Sequence, residues 1–209
     1  MKKIIAVIAF VSSVLLPNAK AQTGWNIVAP PVMWHFYSVD FVDANHGFAC
    51  GQSTIIGTSN GKDWKELPCN FNNKLYSISA ITPTCAVAVG RDGGILRTTD
   101  AGASWQVQTG ARVNPLKAVS FVDTLTGWAS GWYGMILHTT DGGANWIKQT
   151  SGTTVFFNAM VAINATTAYA VGEHGAIVRT IDSGNHWSIM LSETADSLYG
   201  ICKAGKHIY

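Results

Sequence analysis

Four tryptophans, Trp64, Trp105, Trp146 and Trp187, stand 41 residues apart. Three of them close near-identical phrases: Thr98-Thr99-Asp100-Ala101-Gly102-Ala103-Ser104-Trp105, Thr139-Thr140-Asp141-Gly142-Gly143-Ala144-Asn145-Trp146 and Thr180-Ile181-Asp182-Ser183-Gly184-Asn185-His186-Trp187. The first copy, Gly57 to Trp64, keeps Gly61 and Trp64 but carries Ser59 where the Asp is expected. A period of roughly 40–50 residues, built from short apolar runs and Gly-rich turns, is the pattern of propeller blades or another repeat array. That period constrains the fold more than any other feature of the chain.

Each unit divides into four short strands. Strand A alternates apolar and small residues at His35 to Val42, Leu75 to Ile81, Leu116 to Val122 and Phe156 to Ile163. Strand B follows a polar turn at Gly47 to Cys50, Ala86 to Val89, Trp128 to Ser130 and Ala168 to Val171. A second turn leads to strand C at Ile55-Ile56, Ile95-Leu96, Ile136-Leu137 and Ile177-Val178, and strand D begins at each repeated Trp. Short alternating runs punctuated by Gly, Asn and Asp favour antiparallel strands over helices. The expected fold is therefore all-β: a β-propeller of four-stranded antiparallel blades, about 41 residues each, at approximately 34–70, 71–110, 111–152 and 153–192.

The repeated phrase has a local physical logic. Thr and Asp side chains bond nearby backbone N–H groups and fix a tight turn. The Gly takes backbone angles closed to other residues, and the Trp covers its neighbours with a large apolar ring. Thr98, Asp100, Gly102 and Trp105, Thr139, Asp141, Gly143 and Trp146, and Thr180, Asp182, Gly184 and Trp187 are thus expected to be structural, with Gly61 and Trp64 in the first copy.

The phrase resembles the Asp-box of sialidase-like β-propellers. The longer stretch from Val87 to Asp100, echoed from Trp128 to Asp141 and from Ala170 to Asp182, resembles the blades of the photosystem II stability/assembly factor-like family. The resemblance covers roughly residues 25–209. It implies a non-catalytic scaffold that binds a protein partner, such as a membrane-protein assembly intermediate, and it implies no cofactor. A surface glycan is the alternative ligand, and a sialidase-like glycosidase the alternative activity. A sialidase needs three arginines to clamp a carboxylate, whereas only Arg91, Arg97, Arg112 and Arg179 are available, two of them beside the boxes. Another glycosidase needs two carboxylates across a cleft, and Asp92 and Glu173 lie two blades apart.

Residues 1–21 read as a secretory signal: Lys2 and Lys3, an apolar run from Ile4 to Leu16, then Ala19-Lys20-Ala21. The run is too short to span a bilayer, so export without a transmembrane span in the mature chain is expected, to the periplasm, cell surface or medium. The chain has 14 basic and 12 acidic residues; losing Lys2, Lys3 and Lys20 leaves about −1. With no basic tract, the composition argues against nucleic acid as a partner. Cys50, Cys69, Cys85 and Cys202 include no C-x-x-C pair, which argues against a metal site, and as strand positions they read as buried free thiols.

The ends fit an incomplete ring. Trp25 to Val28 reads as a lone strand D, Leu198 to Ile201 as a strand A, and Lys206 to Tyr209 as the start of a strand B. The 188 residues after the signal make about 4.6 repeats, whereas propellers usually carry four to eight blades. A closed small ring is the alternative.

In such blades the A–B and C–D turns share one rim, and the B–C turns and D–A loops share the other. The B–C turns read Gln52-Ser53-Thr54, Arg91-Asp92-Gly93, Trp132-Tyr133-Gly134 and Glu173-His174-Gly175, varying freely within a repeated frame. Turns on a rigid scaffold are where binding residues concentrate. Arg91, Asp92, Trp132, Tyr133, Glu173 and His174 are therefore the candidate partner-binding residues. Arg97 and Arg179, at one shared position, read as braces between neighbouring blades.

Overall fold

The computed structural model describes residues 35–108, 114–204 and 207–209. The proposed signal and the Trp25–Val28 strand lie outside the described residues. Among the described residues, four four-stranded antiparallel sheets follow one another in chain order, with a two-stranded sheet after them. Blade 1 is β1 (Phe36–Phe41), β2 (Gly47–Gly51), β3 (Ile55–Thr58) and β4 (Lys65–Leu67); blade 2 is β5 (Leu75–Ala80), β6 (Ala86–Gly90), β7 (Ile95–Thr98) and β8 (Gln106–Gln108). Blade 3 is β9 (Leu116–Phe121), β10 (Gly127–Gly131), β11 (Met135–Thr139) and β12 (Ile147–Thr150); blade 4 is β13 (Phe157–Asn164), β14 (Thr167–Gly172), β15 (Ile177–Thr180) and β16 (Ser188–Met190). Every pairing within a blade is antiparallel, and the strands lie in sequence order. This is the meander expected when short strands are joined by tight turns.

Blades stack through apolar faces into three cores. Cys50 and Ile55 of blade 1 meet Ala86, Ala88 and Leu96 of blade 2. Val87, Val89 and Ile95 meet Ala129 and Leu137 of blade 3, and Trp128 and Ile136 meet Ala168, Ala170 and Val178 of blade 4. The period of two along each strand sends alternate residues to opposite neighbours, so one strand feeds two cores. Trp128 is fully buried and stacks on His138 at 4.5 Å.

Strand A is the inner edge of each blade, where amides facing away from strand B need other acceptors. The preceding blade supplies some. Ser38 Oγ accepts the Ile78 N–H at 3.2 Å, Ser77 Oγ the Val119 N–H at 3.2 Å and Ser120 Oγ the Ala162 N–H at 3.1 Å. Asp40 Oδ2 does the same for the Ala80 N–H at 2.9 Å. Small polar residues on strand A therefore stitch blade to blade.

The C-terminal end differs from expectation. Residues 198–201 form no strand, while β17 (Lys203–Ala204) and β18 (His207–Ile208) pair with each other. β18 falls within the expected strand B, and its ladder continues through Cys202 and Tyr209, which exchange N–H to O bonds at 2.8 and 2.9 Å, so the departure is confined to the segment at 198–201. That segment is held by single contacts to blade 4: Leu198 N–H to Gly172 O at 2.9 Å, and Asn158 Nδ2–H to Leu198 O at 3.0 Å. Cys202, in this tail, is exposed rather than buried, and Cys85 is half-buried; only Cys50 and Cys69 are buried, and all four thiols are free.

Candidate functional site

The Asp-box turns form one rim. In blade 2, Thr98 Oγ1 donates to Asp100 Oδ1 at 2.8 Å and accepts the Gly102 N–H at 2.9 Å. Asp100 in turn accepts the backbone N–H and the hydroxyl of Ser104, at 2.9 and 2.6 Å. Blades 3 and 4 repeat this with Asn145 and His186 in the place of Ser104. Each box also docks on its own A–B turn, as in Ala101 N–H to Thr84 O at 2.9 Å and Gly142 N–H to Leu125 O at 2.8 Å. Such bonds favour the carboxylate. Asp100 is held at about 2, chiefly by the Ser104 side chain, and Asp182 at about 2, chiefly by the His186 backbone N–H. Both carboxylate oxygens of Asp100, Asp141 and Asp182 are thus engaged within their own turns.

The first box corrects the sequence expectation. Asn60, not Ser59, takes the Asp role: its Oδ1 accepts the Lys62 and Asp63 amides at 2.9 and 2.8 Å. The turn is one residue shorter, so Gly61 bonds both Thr58 Oγ1 and Asn45 O. The tryptophans also divide. Trp105 is buried at 8% exposure against Phe48, whereas Trp64, Trp146 and Trp187 are half-buried.

Arg97 braces the next blade, its Nε donating to Gly142 O at 2.8 Å. Blade 3 carries His138 at this position, and there Gln149 Nε2 donates to the equivalent Ser183 O at 3.0 Å. Arg179 repeats the Arg, but its Nε is buried without a hydrogen-bond partner among the described residues.

The opposite rim carries the B–C turns and D–A loops. Strand B ends in a glycine in each blade. A Cβ on Gly90 would meet Lys74 O, and one on Gly131 would meet Pro115 O, so only glycine lets the two chains approach. The next amide then bonds that same carbonyl: Arg91 N–H to Lys74 O at 2.8 Å, Trp132 N–H to Pro115 O at 3.0 Å and Glu173 N–H to Phe156 O at 3.0 Å. The following residue is left-handed in all four blades, with Ser53, Asp92, Tyr133 and His174 at φ 56–58°. A left-handed conformation is costly for a bulky residue, by roughly 1–2 kcal/mol. Tyr133 is thus held in a strained conformation with its ring 58% exposed.

The six candidate residues share this rim as three separate turns. Arg91 Nε lies 3.7 Å from Asp92 Oδ1, and Asp92 Oδ2 accepts from Asn73 Nδ2 at 2.9 Å, so that pair is engaged locally. Trp132 and Tyr133 both converge on Phe156. Trp132 stacks on it with centroids 5.0 Å apart, and Tyr133 meets it edge-on at 4.8 Å. Since Phe156 O accepts the Glu173 amide, this cluster links the blade 3 turn to that of blade 4. Phe156 was expected to open a strand, but β13 begins at Phe157, which frees Phe156 for the loop face. Two shallow grooves flank Phe71 on the same rim. One of about 400 Å³ lies between Ser53, Thr54, Glu66 and the Pro68–Asn72 loop, and one of about 300 Å³ lies beside Asn73, Asp92 and Val107. Among the described residues no group of three or more His, Cys, Asp or Glu could hold a metal ion, and no helix is long and apolar enough to cross a membrane.

Comparisons with known proteins agree with this architecture. No curated protein matches the chain in sequence. Among solved structures, YCF48 bound to D1 peptide is 21% identical with a TM-score of 0.51, over 85% of this chain and 47% of that one. YCF48 from Cyanidioschyzon merolae is 17% identical with a TM-score of 0.67, over 86% and 66%. An ancestral GH74 enzyme is 16% identical with a TM-score of 0.61, over 80% and 25%. At such identities the likeness shows the propeller fold, and this chain spans about half to two thirds of the YCF48 structures. The family model of the photosynthesis system II assembly factor YCF48 matches residues 58–209. On that match over most of its length, with four Asp-box blades behind it, the chain belongs to the YCF48 family of photosystem II assembly factor-like β-propellers.

Proposed function

We propose that the chain is an exported, non-catalytic scaffold that binds a partner protein through the loop rim opposite the Asp-boxes. The observation that carries this is the Trp132–Tyr133–Phe156 cluster, presented on a turn whose left-handed Tyr133 is imposed by backbone bonds from Trp132 and Gly134 to the neighbouring loops. Aromatic rings fixed by a scaffold give large contact area at low entropic cost. The Asp-box rim, by contrast, spends its polar atoms internally. The related structure carrying a D1 peptide supports a polypeptide ligand, and the partner here is of that class: a segment of a protein under assembly.

Calorimetric titration with a D1 peptide tests the reading. The native chain should bind, and the Trp132→Ala/Tyr133→Ala variant should lose binding while keeping its circular dichroism spectrum. Undiminished binding by the variant would move the site elsewhere. Export is tested by fractionating cells that express the full sequence. Processed protein outside the cytoplasm is expected, and unprocessed cytoplasmic protein would contradict it.

A further inference from the structure

The inner edge of the loop rim gathers side chains from successive strand A segments. Tyr37, Tyr76, Lys117 and Asn158 occupy the second position of β1, β5, β9 and β13. Each of the first three meets its neighbour. The Tyr37 and Tyr76 rings lie 5.9 Å apart, and Lys117 Nζ sits 4.0 Å over the centre of the Tyr76 ring. Lys74 joins them from the loop before β5, where its backbone bridges the B–C turns of blades 1 and 2: it pairs with Gln52, and its carbonyl accepts the Arg91 amide. Lys117 follows Pro115 and Leu116, and the Pro115 carbonyl holds the Trp132 amide. The strand A row and the aromatic cluster are thus joined through the backbone of the same loop rim, with the Lys117 ammonium over the Tyr76 ring and the Lys74 charge acting on it.

Both lysines are half-buried, and no carboxylate forms an ion pair with either among the described residues. Every Asp and Glu of the chain lies within those residues, so no acid of the chain itself neutralises the pair. Burial, then the Lys74 charge, lowers the Lys117 pKa from its ordinary value. Two like charges brought together on a partly dehydrated aromatic floor, without an internal counter-ion, form a site that a bound anion relieves.

Resting on the loop-face reading above, we propose that Lys117 and Lys74 hold a carboxylate of the partner, with Tyr76 and Tyr37 as the floor, so that the bound segment is an acidic peptide. The aromatic cluster then receives an apolar residue of the same segment. No covalent step is involved. The ligand exchanges its water shell for two charge-assisted hydrogen bonds.

The probes are an acetylated, amidated Leu-Glu-Leu-Glu peptide and its Leu-Gln-Leu-Gln counterpart, titrated into the native chain at low and high salt. The Glu peptide should bind at least about tenfold more tightly, with affinity falling as salt rises. Lys74→Gln/Lys117→Gln should abolish the preference, and Lys74→Arg/Lys117→Arg should restore it. Removing a repelling pair does not threaten the fold, and circular dichroism checks this. Equal affinity for the two peptides, or a preference untouched by the Gln variant, overturns the proposal. The aromatic variant separates the two readings. If D1-peptide binding is lost with Trp132→Ala/Tyr133→Ala but persists with the Gln pair, the loop-face site stands and the carboxylate site falls. The reverse pattern keeps the carboxylate site and removes the aromatic one.

Discussion

Replacing Trp105 with Ala should remove a large share of the stability that joins blades 1 and 2. The ring is 8% exposed and meets Phe48 edge-on, with centroids 6.3 Å apart, inside the core shared by Cys50, Ile55, Ala88 and Leu96. A tryptophan buries roughly 150–250 Å², and at ~25 cal/mol per Å² that corresponds to about 4–6 kcal/mol, part of which Ala retains. Buried large-to-Ala changes accordingly cost about 3–5 kcal/mol, and that is the expected loss. Trp105 Nε1 is buried without a hydrogen-bond partner among the described residues, so Trp105→Phe breaks no such bond, keeps an aromatic ring in the core and should cost less than Trp105→Ala. Trp146 differs. It is half-buried, so Trp146→Ala should cost less than Trp105→Ala even though it also removes the 3.2 Å bond from Trp146 Nε1 to Gly143 O. Urea unfolding at a common slope measures all three. A Trp105→Ala shift worth under about 1 kcal/mol would refute the inter-blade placement of the ring.

The two arginines at one repeat position make a matched pair. Arg97→Met should cost about 1–2 kcal/mol by leaving Gly142 O unpaired, whereas Arg179→Met should cost under about 0.5 kcal/mol; equal losses in thermal unfolding would remove the bracing role. Asp43, Asp100 and Asp182 each titrate near 2 in the folded chain, below the ordinary 3.8. Their contribution to stability is therefore complete above about pH 4 and lost as pH falls toward 2. Unfolding midpoints that stay flat across that window would contradict the turn bonding. Thiol labelling should proceed in the order of exposure: Cys202 rapidly, Cys85 slowly, and Cys50 and Cys69 only on unfolding. Burial raises the Cys50, Cys69 and Cys85 thiols, which slows them further, so early labelling of Cys50 would disprove the blade 1–2 core.

What was legible in the sequence was local or periodic. Thr98, Asp100, Gly102 and Trp105 lie within eight residues of one another, so their turn could be read from the letters, and the period then placed every blade. Asn60 was misjudged because the first box is one residue shorter, which shifts the role by one place while Trp64 keeps the 41-residue spacing. The role of Ser104, Asn145 and His186 as partners of the box Asp was missed, though a small polar residue before each Trp was the available signal. Phe156 was absorbed into a strand because an aromatic at the edge of an apolar run looks the same on either side of the boundary. The Tyr37–Tyr76–Lys117 row could not be seen at all. Its members are about 40 residues apart, and only stacking of successive blades brings them into contact.

The central claim is that the B–C loop rim, and not the Asp-box rim, is the working surface. Amide hydrogen exchange with and without a saturating D1 peptide tests it most directly. Protection should appear at the turns around Arg91, Trp132 and Glu173 and at the loop carrying Phe156, with the boxes at Asp100, Asp141 and Asp182 unchanged. Protection concentrated at the boxes, with the B–C turns unaffected, would contradict the account.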